Sequence, residues 1–223
     1  MLALHRIVRS GEFEIVHLHT VIDAETKRVG LHGVREELIE AQAHALNLKL
    51  VKLYLPASGD HTAYQHLMHT FFGQCASGKI NYVMFGDIFL DDLKAYRDKI
   101  LAENNINGIY PLWKMNSMKV MTDFLDAGFR TVLCSANARY FLPEDLGKTV
   151  DYEFIQNLPV AVDAAGENGE FHTFVYDGPG FLKPIAWRPG ALVKRSYSYK
   201  VENQDGSNHP VSSDFWFREL CME

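Results

Sequence analysis

Between residues 14 and 135 the chain changes period repeatedly, and this alternation limits its fold more than any other feature. Residues 14–22 ("EIVHLHTVI") read as a strand, with Val16, Leu18 and Thr20 on one face. Residues 34–48 place Val34, Leu38, Ala41, Ala45 and Leu48 three and four apart, which is helical spacing. Residues 50–55 form a second strand-like run that Pro56 ends. Residues 61–75 read as a helix with Gly78 behind it, 81–85 ("NYVMF") as a short buried strand, and 89–103 as a charged amphipathic helix. The order strand, helix, strand returns over 108–113, 117–127 and 131–135. Strands alternating with helices predict an α/β fold, a parallel sheet with helices on both faces. Right-handed crossovers would gather the loops after those strands along one edge, where ligands bind in such sheets.

Past residue 136 the pattern changes. Residues 143–148 read as a loop and 151–157 as a short helix; from residue 170 to 199 the chain is strand-like ("FHTFVYDGP", "KPIAWRPG", "ALVKRSYSYK"). Asp177-Gly178-Pro179-Gly180 is strong turn chemistry, because Gly supplies positive φ and Pro pre-sets the turn. Residues 203–213 are polar and loop-like, and "FWFREL" reads as a last strand that docks back. The expected organisation is an α/β domain over residues 1–136 and a smaller β-rich C-terminal lobe over 137–223.

Bulk properties exclude several roles. With 47% apolar residues, 22% charged residues and a net charge of −6, the chain reads as an ordinary soluble protein. Lys194, Arg195 and Lys200 are too sparse a basic run for a nucleic-acid footprint, which needs clustered cations. No apolar run is long enough to span a bilayer, and "MLALHRIVRSGEFE" is charged too early for a signal peptide. Cys75, Cys134 and Cys221 are distant and odd in number, so reduced thiols and a cytoplasmic location are expected. The scatter of ten histidines, including His17, His19, His61, His66 and His69, shows no ligand spacing with an accompanying acid, so no metal site is assigned. The aromatic tail "DFWFREL" fits burial in its own lobe or in a homo-oligomer.

The densest chemistry is "AAGENGEFHTFVYDGPGF", residues 164–181. Glu167 and Glu170 flank Asn168-Gly169 in a loop whose glycine lets backbone approach a ligand closely. Two converging carboxylates can bind an ammonium, coordinate Mg²⁺ or take a proton from an attacking amine; a solvated hairpin lead-in is the plainer reading. His172 lies two residues past Glu170, on the same strand face, as an acid or base or as a satisfied core histidine. Gly86-Asp87 follows the strand "NYVMF", so Asp87 is placed to hold Mg²⁺, to orient an amine, or to cap a helix. Arg35 suits a phosphate or carboxylate, or pairing with nearby glutamates. Trp113 fits core packing better than adenine stacking.

Five strings together resemble the diphthine–ammonia ligase family, within the PP-loop ATP pyrophosphatase superfamily. They are "GENGEFHTFVYDGP" (166–179), "HGVREELIEAQA" (32–43), "VMFGDIFLDD" (83–92), "YPLW" (110–113) and "LGKTVD" (146–151), in order over essentially the whole chain. The resemblance implies an adenine nucleotide alpha hydrolase-like domain followed by a substrate lobe. It also implies an enzyme that adenylates a carboxylate with ATP and Mg²⁺, releases pyrophosphate, and lets ammonia or another amine displace AMP; the carboxylate belongs to a small molecule or a protein. On this basis Glu167, Glu170 and His172 are expected to be catalytic, Gly86, Asp87 and Arg35 to contact the nucleotide, and Asn168, Gly169 and Thr173 to contact substrate. Members that make diphthamide typically carry Gly where this chain has Asn168 and Glu where it has His172. "GENGEFHTF" is similar to the bacterial-type variant, for which no diphthine substrate is expected. The phosphate-wrapping loop S-G-G-K-D-S is not in this sequence. By the resemblance, the chain begins where that loop ends, and the first strand of the sheet is expected to be missing with it. A start codon assigned inside a longer reading frame, or a shortened version of the chain, would account for this; the alternative is a catalytically silent nucleotide-binding protein.

Overall fold

The computed structural model describes residues 1–56, 61–202 and 208–223, with backbone alone over 198–202 and 208–211. It opens on α1 (Leu2–Ser10), which buries Leu2, Ala3, Leu4 and Ile7 on one side and stops at Gly11, whose φ of 68° only glycine adopts without strain. β1 (Leu18–Asp23), the short antiparallel pair β2 (Arg28–Val29) and β3 (Val34–Arg35), and α2 (Glu36–Ala45) follow. β4 (Leu50–Leu55) returns to pair with β1 in parallel, Leu18 opposite Leu50. After α3 (His61–Ser77), β5 (Tyr82–Met84) and α4 (Asp91–Glu103), β6 (Asn107–Ile109) pairs with β5, also in parallel.

α5 (Ser117–Asp126) is capped by Asn116, whose side chain accepts from Lys119 N at 3.0 Å, and buries Val120, Met121 and Phe124. β7 (Arg130–Asn137) leads to α6 (Tyr152–Gln156), which Asp151 caps through Phe154 N. β8 (Phe171–Asp177), β9 (Trp187–Glu202) and β10 (Asn208–Met222) complete the chain. The last four strands form one antiparallel sheet in the order β8-β7-β10-β9.

The alternating first half therefore yields mixed α/β structure, and the β-rich C-terminal part is present. A single parallel sheet is not what forms among the described residues. The β1–β4 and β5–β6 ladders remain separate pairs, and a cavity of about 430 Å³ lined by Leu18 and His19 of β1 and Tyr82, Val83 and Met84 of β5 lies between them. The run over 131–135, expected to continue the parallel series, pairs antiparallel with β8 and β10, so residue 136 lies inside a strand of the C-terminal sheet. Its partners lie far away in sequence, and no local period encodes their direction. Residues 208–213, read as loop, start β10; residues 203–207, which carry the rest of that reading, lie outside the described residues.

The main core joins both ends of the chain. Leu2 and Ile88 pack with Phe124, Leu133, Phe171 and Val175 in one buried cluster. A second cluster holds α2 to the C-terminal sheet through Leu38, Val132, Phe174 and Leu220. The result is to bring the end of β5 against the loop that enters β8.

Candidate functional site

The acidic loop is organised by Asp163, a residue the sequence reading did not single out. Its Oδ2 accepts from Ala165 N at 3.0 Å and from Glu167 N at 3.1 Å, while its own N–H donates to Glu170 Oε1 at 2.9 Å. Gly166 turns at φ 68° and Gly169 at 81°, so the chain folds back between the two glutamates. An Asp two residues before an Ala-Gly turn is the local signal that would have found this hub, since Asx side chains bond backbone a few residues on.

The two glutamates part company. Glu167 reaches the turn after β5, where its Oε1 accepts from Ile88 N at 2.7 Å. Burial pushes the Glu167 carboxyl above its ordinary pKa, helped by the charges of Asp87 and Asp163 and opposed by backbone donors at Ile88 and Phe89. Asp87 is itself buried and ion-paired with Arg97 of α4. It is not a helix cap, because α4 begins at Asp91 with Leu90 as its N-cap. Gly86 packs beside Ala3 of α1. Gly86, Asp87 and Glu167 thus lie together at the end of a parallel strand, beside the start of α1.

Glu170 faces the other way. It is 6% exposed; Oε1 accepts from Asp163 N and from Asn168 Nδ2 at 3.1 Å, and Oε2 is buried without a partner. It lines a cavity of about 510 Å³ together with Asn137, Arg139, Asn168, Gly169 and Ser213. The wall of that cavity is stitched by Asn137 N to Glu170 O at 2.8 Å, Asn137 Nδ2 to Ser213 Oγ at 3.0 Å, and Arg139 N to Asn137 Oδ1 at 2.9 Å.

His172 packs against His32, ring centroids 4.4 Å apart and the rings tilted by 42°, and no hydrogen bond joins it to Glu170. Burial drives its pKa down to about 3 with His32 adding to the effect, so the ring is neutral. His32 is held low by the protein around it and hydrogen-bonds to the Thr173 backbone. His172 stands directly across the ladder from Ser135; Nε2 of the first and Oγ of the second are both buried without partners. Arg35 lies elsewhere: with Arg28 it grips Glu219 of β10, and Glu37 is 3.9 Å away. Trp113 is half-buried against Tyr110, ring centroids 6.0 Å apart. Asp177 accepts from Gly178 N at 2.9 Å within its turn.

Two comparisons with known proteins bear on this chain, and one of them is located on the acidic loop. The family model for the diphthamide synthase C-terminal domain matches residues 116–195, which include Asn137, Asp163, the acidic loop and β8. The chain is also similar to the diphthine–ammonia ligase of Danio rerio, 24% identical over 174 residues that make up 75% of this chain and 65% of that protein. It therefore spans somewhat less than two thirds of the length of that curated relative. Both matches support the resemblance to the diphthine–ammonia ligase family that the motifs of the sequence carry.

Proposed function

We propose that the chain forms the body of an ATP-dependent amide-forming ligase, one that activates a carboxylate as its adenylate and couples it to an amine with release of AMP and pyrophosphate. The observation that carries this reading is the contact between Glu167 and Ile88 N, which fixes the acidic loop of the C-terminal half against the Gly86-Asp87 turn. Ligands of α/β enzymes bind at such strand ends. A nucleotide held there by Gly86 and Asp87 would have its reacting phosphate close to the loop that carries the substrate groups. Arg35 pairs with Glu219, so the nucleotide contact expected of it is left out of this reading.

Among the described residues no three metal-ligating side chains converge into a preformed cage. Mg²⁺ is usually held by one or two carboxylates plus substrate phosphates. Asp87 and Glu167 would share it, and its contribution would be to offset phosphate charge. The acceptor of the nucleotide's activated group is a carboxylate outside the diphthine class, since Asn168 and His172 replace the Gly and Glu of diphthamide-forming relatives. The three thiols are free, which is consistent with action in the cytoplasm. No described helix is long and apolar enough to cross a membrane.

The test is product analysis. The protein is incubated with Mg²⁺ and ATP across a panel of carboxylates with ammonium or amines, and nucleotides are resolved by ion exchange. AMP and pyrophosphate formed in step with amide are expected. ADP and phosphate as the only products would overturn the assignment.

A further inference from the structure

The cavity beside Glu170 is large for ammonia. Ammonia is close to water in size, and a water takes about 30 Å³ of liquid volume, whereas this cavity holds about 510 Å³, within the range of pockets for small organic ligands. Its polar groups are not all used up by the protein. Glu170 is more than nine-tenths buried, and Oε2 is left without a donor although Oε1 has two. A carboxylate oxygen in that position costs free energy unless a ligand donor or cation meets it. Asp214, the second acid of the wall, is neutralised by Lys194 at 2.6 Å and Ser196 Oγ at 2.6 Å. Arg139 is exposed, stacks over Tyr140 at 5.4 Å, and enters no ion pair among the described residues. The cavity thus has one unsatisfied anion and one unpaired cation.

We propose that this cavity is the amine subsite of the ligase and takes a zwitterionic organic amine of amino-acid size, its ammonium on Glu170 Oε2 and its carboxylate on Arg139. An ammonium with three donors supplies what Oε2 lacks, and a guanidinium is the side chain best shaped to clasp a carboxylate. Ser213 and Asn137 supply neutral polar groups to the lining of the same cavity. The inference deepens the ligase reading and rests on it for the word amine; the binding itself needs neither ATP nor turnover.

Binding to the full chain, followed by calorimetry and by amide chemical shifts, decides the matter. Glycine, β-alanine and γ-aminobutyrate are compared with ammonium chloride, methylammonium chloride and sodium acetate. At least one zwitterion should bind tenfold or more tightly than any singly charged probe, and Glu170→Gln and Arg139→Gln should each weaken it tenfold or more. Arg139 is exposed, so its substitution tests the site even if Glu170→Gln disturbs the loop. Equal affinity for ammonium and zwitterion, or indifference to Arg139→Gln in a folded variant, would overturn the proposal. Zwitterion binding without AMP formation would keep this pocket and remove the ligase reading; AMP formation without zwitterion binding would do the reverse.

Discussion

Glu170 is a buried carboxylate satisfied at one oxygen only, a state that the fold maintains through Asp163 and Asn168. Replacing it by Gln keeps the shape and the Asp163 contact but removes the charge. Turnover should fall by about 10²–10⁴-fold, the usual contribution of a positioned acid or base, with a melting temperature close to that of the parent. Full turnover in that variant would reduce the loop to scaffolding. His172 makes a different prediction. Its folded pKa of about 3 lies below the ordinary 6.5, so between those values the unfolded chain binds a proton that the folded chain refuses. Stability at this position is therefore complete above pH 6.5 and is lost as pH falls toward 3. At pH 5 the loss is on the order of 1–2 kcal/mol. His172→Phe, which also removes the orphaned Nε2, should show a smaller drop in urea midpoint between pH 7.5 and pH 5 than the parent. An identical drop in both proteins would mean that His172 is protonated in the native state. The sequence showed the carboxylates, the glycines and His172, because these are local. It did not show that Glu167 and Glu170 face opposite ways or that His172 meets His32, since both follow from contacts across the chain.

The loop into β8 depends on two glycines with different obligations. At Gly166 a Cβ would lie 2.7 Å from the Phe171 carbonyl, and φ is already in the left-handed region. At Gly169 φ is also positive but nothing lies within 4 Å. Gly166→Ala should cost more than the roughly 1–2 kcal/mol that left-handed backbone alone imposes on an L-residue, because backbone must also shift. Gly169→Asn should cost little, since Asn tolerates that conformation. Urea denaturation of the two variants checks the order, and equal losses would mean that the loop is less closely folded than described. The paired turn signals were readable at the level of sequence; which glycine meets backbone was not.

The whole molecule holds its two halves together through a shared core, with Leu2 and Ile88 packed among Phe124, Phe171 and Val175. A chain with several small sheets would unfold piecewise if each sheet carried its own core. Here β7 ties residues before 136 to the C-terminal sheet, and α2 packs on that sheet through Leu38. Calorimetry should therefore show one transition whose van't Hoff and calorimetric enthalpies agree, and two resolved peaks would contradict the shared core. By itself the sequence determined the alternation of elements, the strand-rich end, the turn at Asp177-Gly178 and the concentration of acid before β8, because periodicity, glycine and proline act over a few residues. Only the tertiary structure decided that 131–135 runs antiparallel, that the parallel strands remain as two pairs, and that Arg35 is spent on Glu219. Those outcomes depend on partners as much as 184 residues away along the chain, and strand direction and ion-pair choice are settled by what packing brings within reach, which no local pattern records.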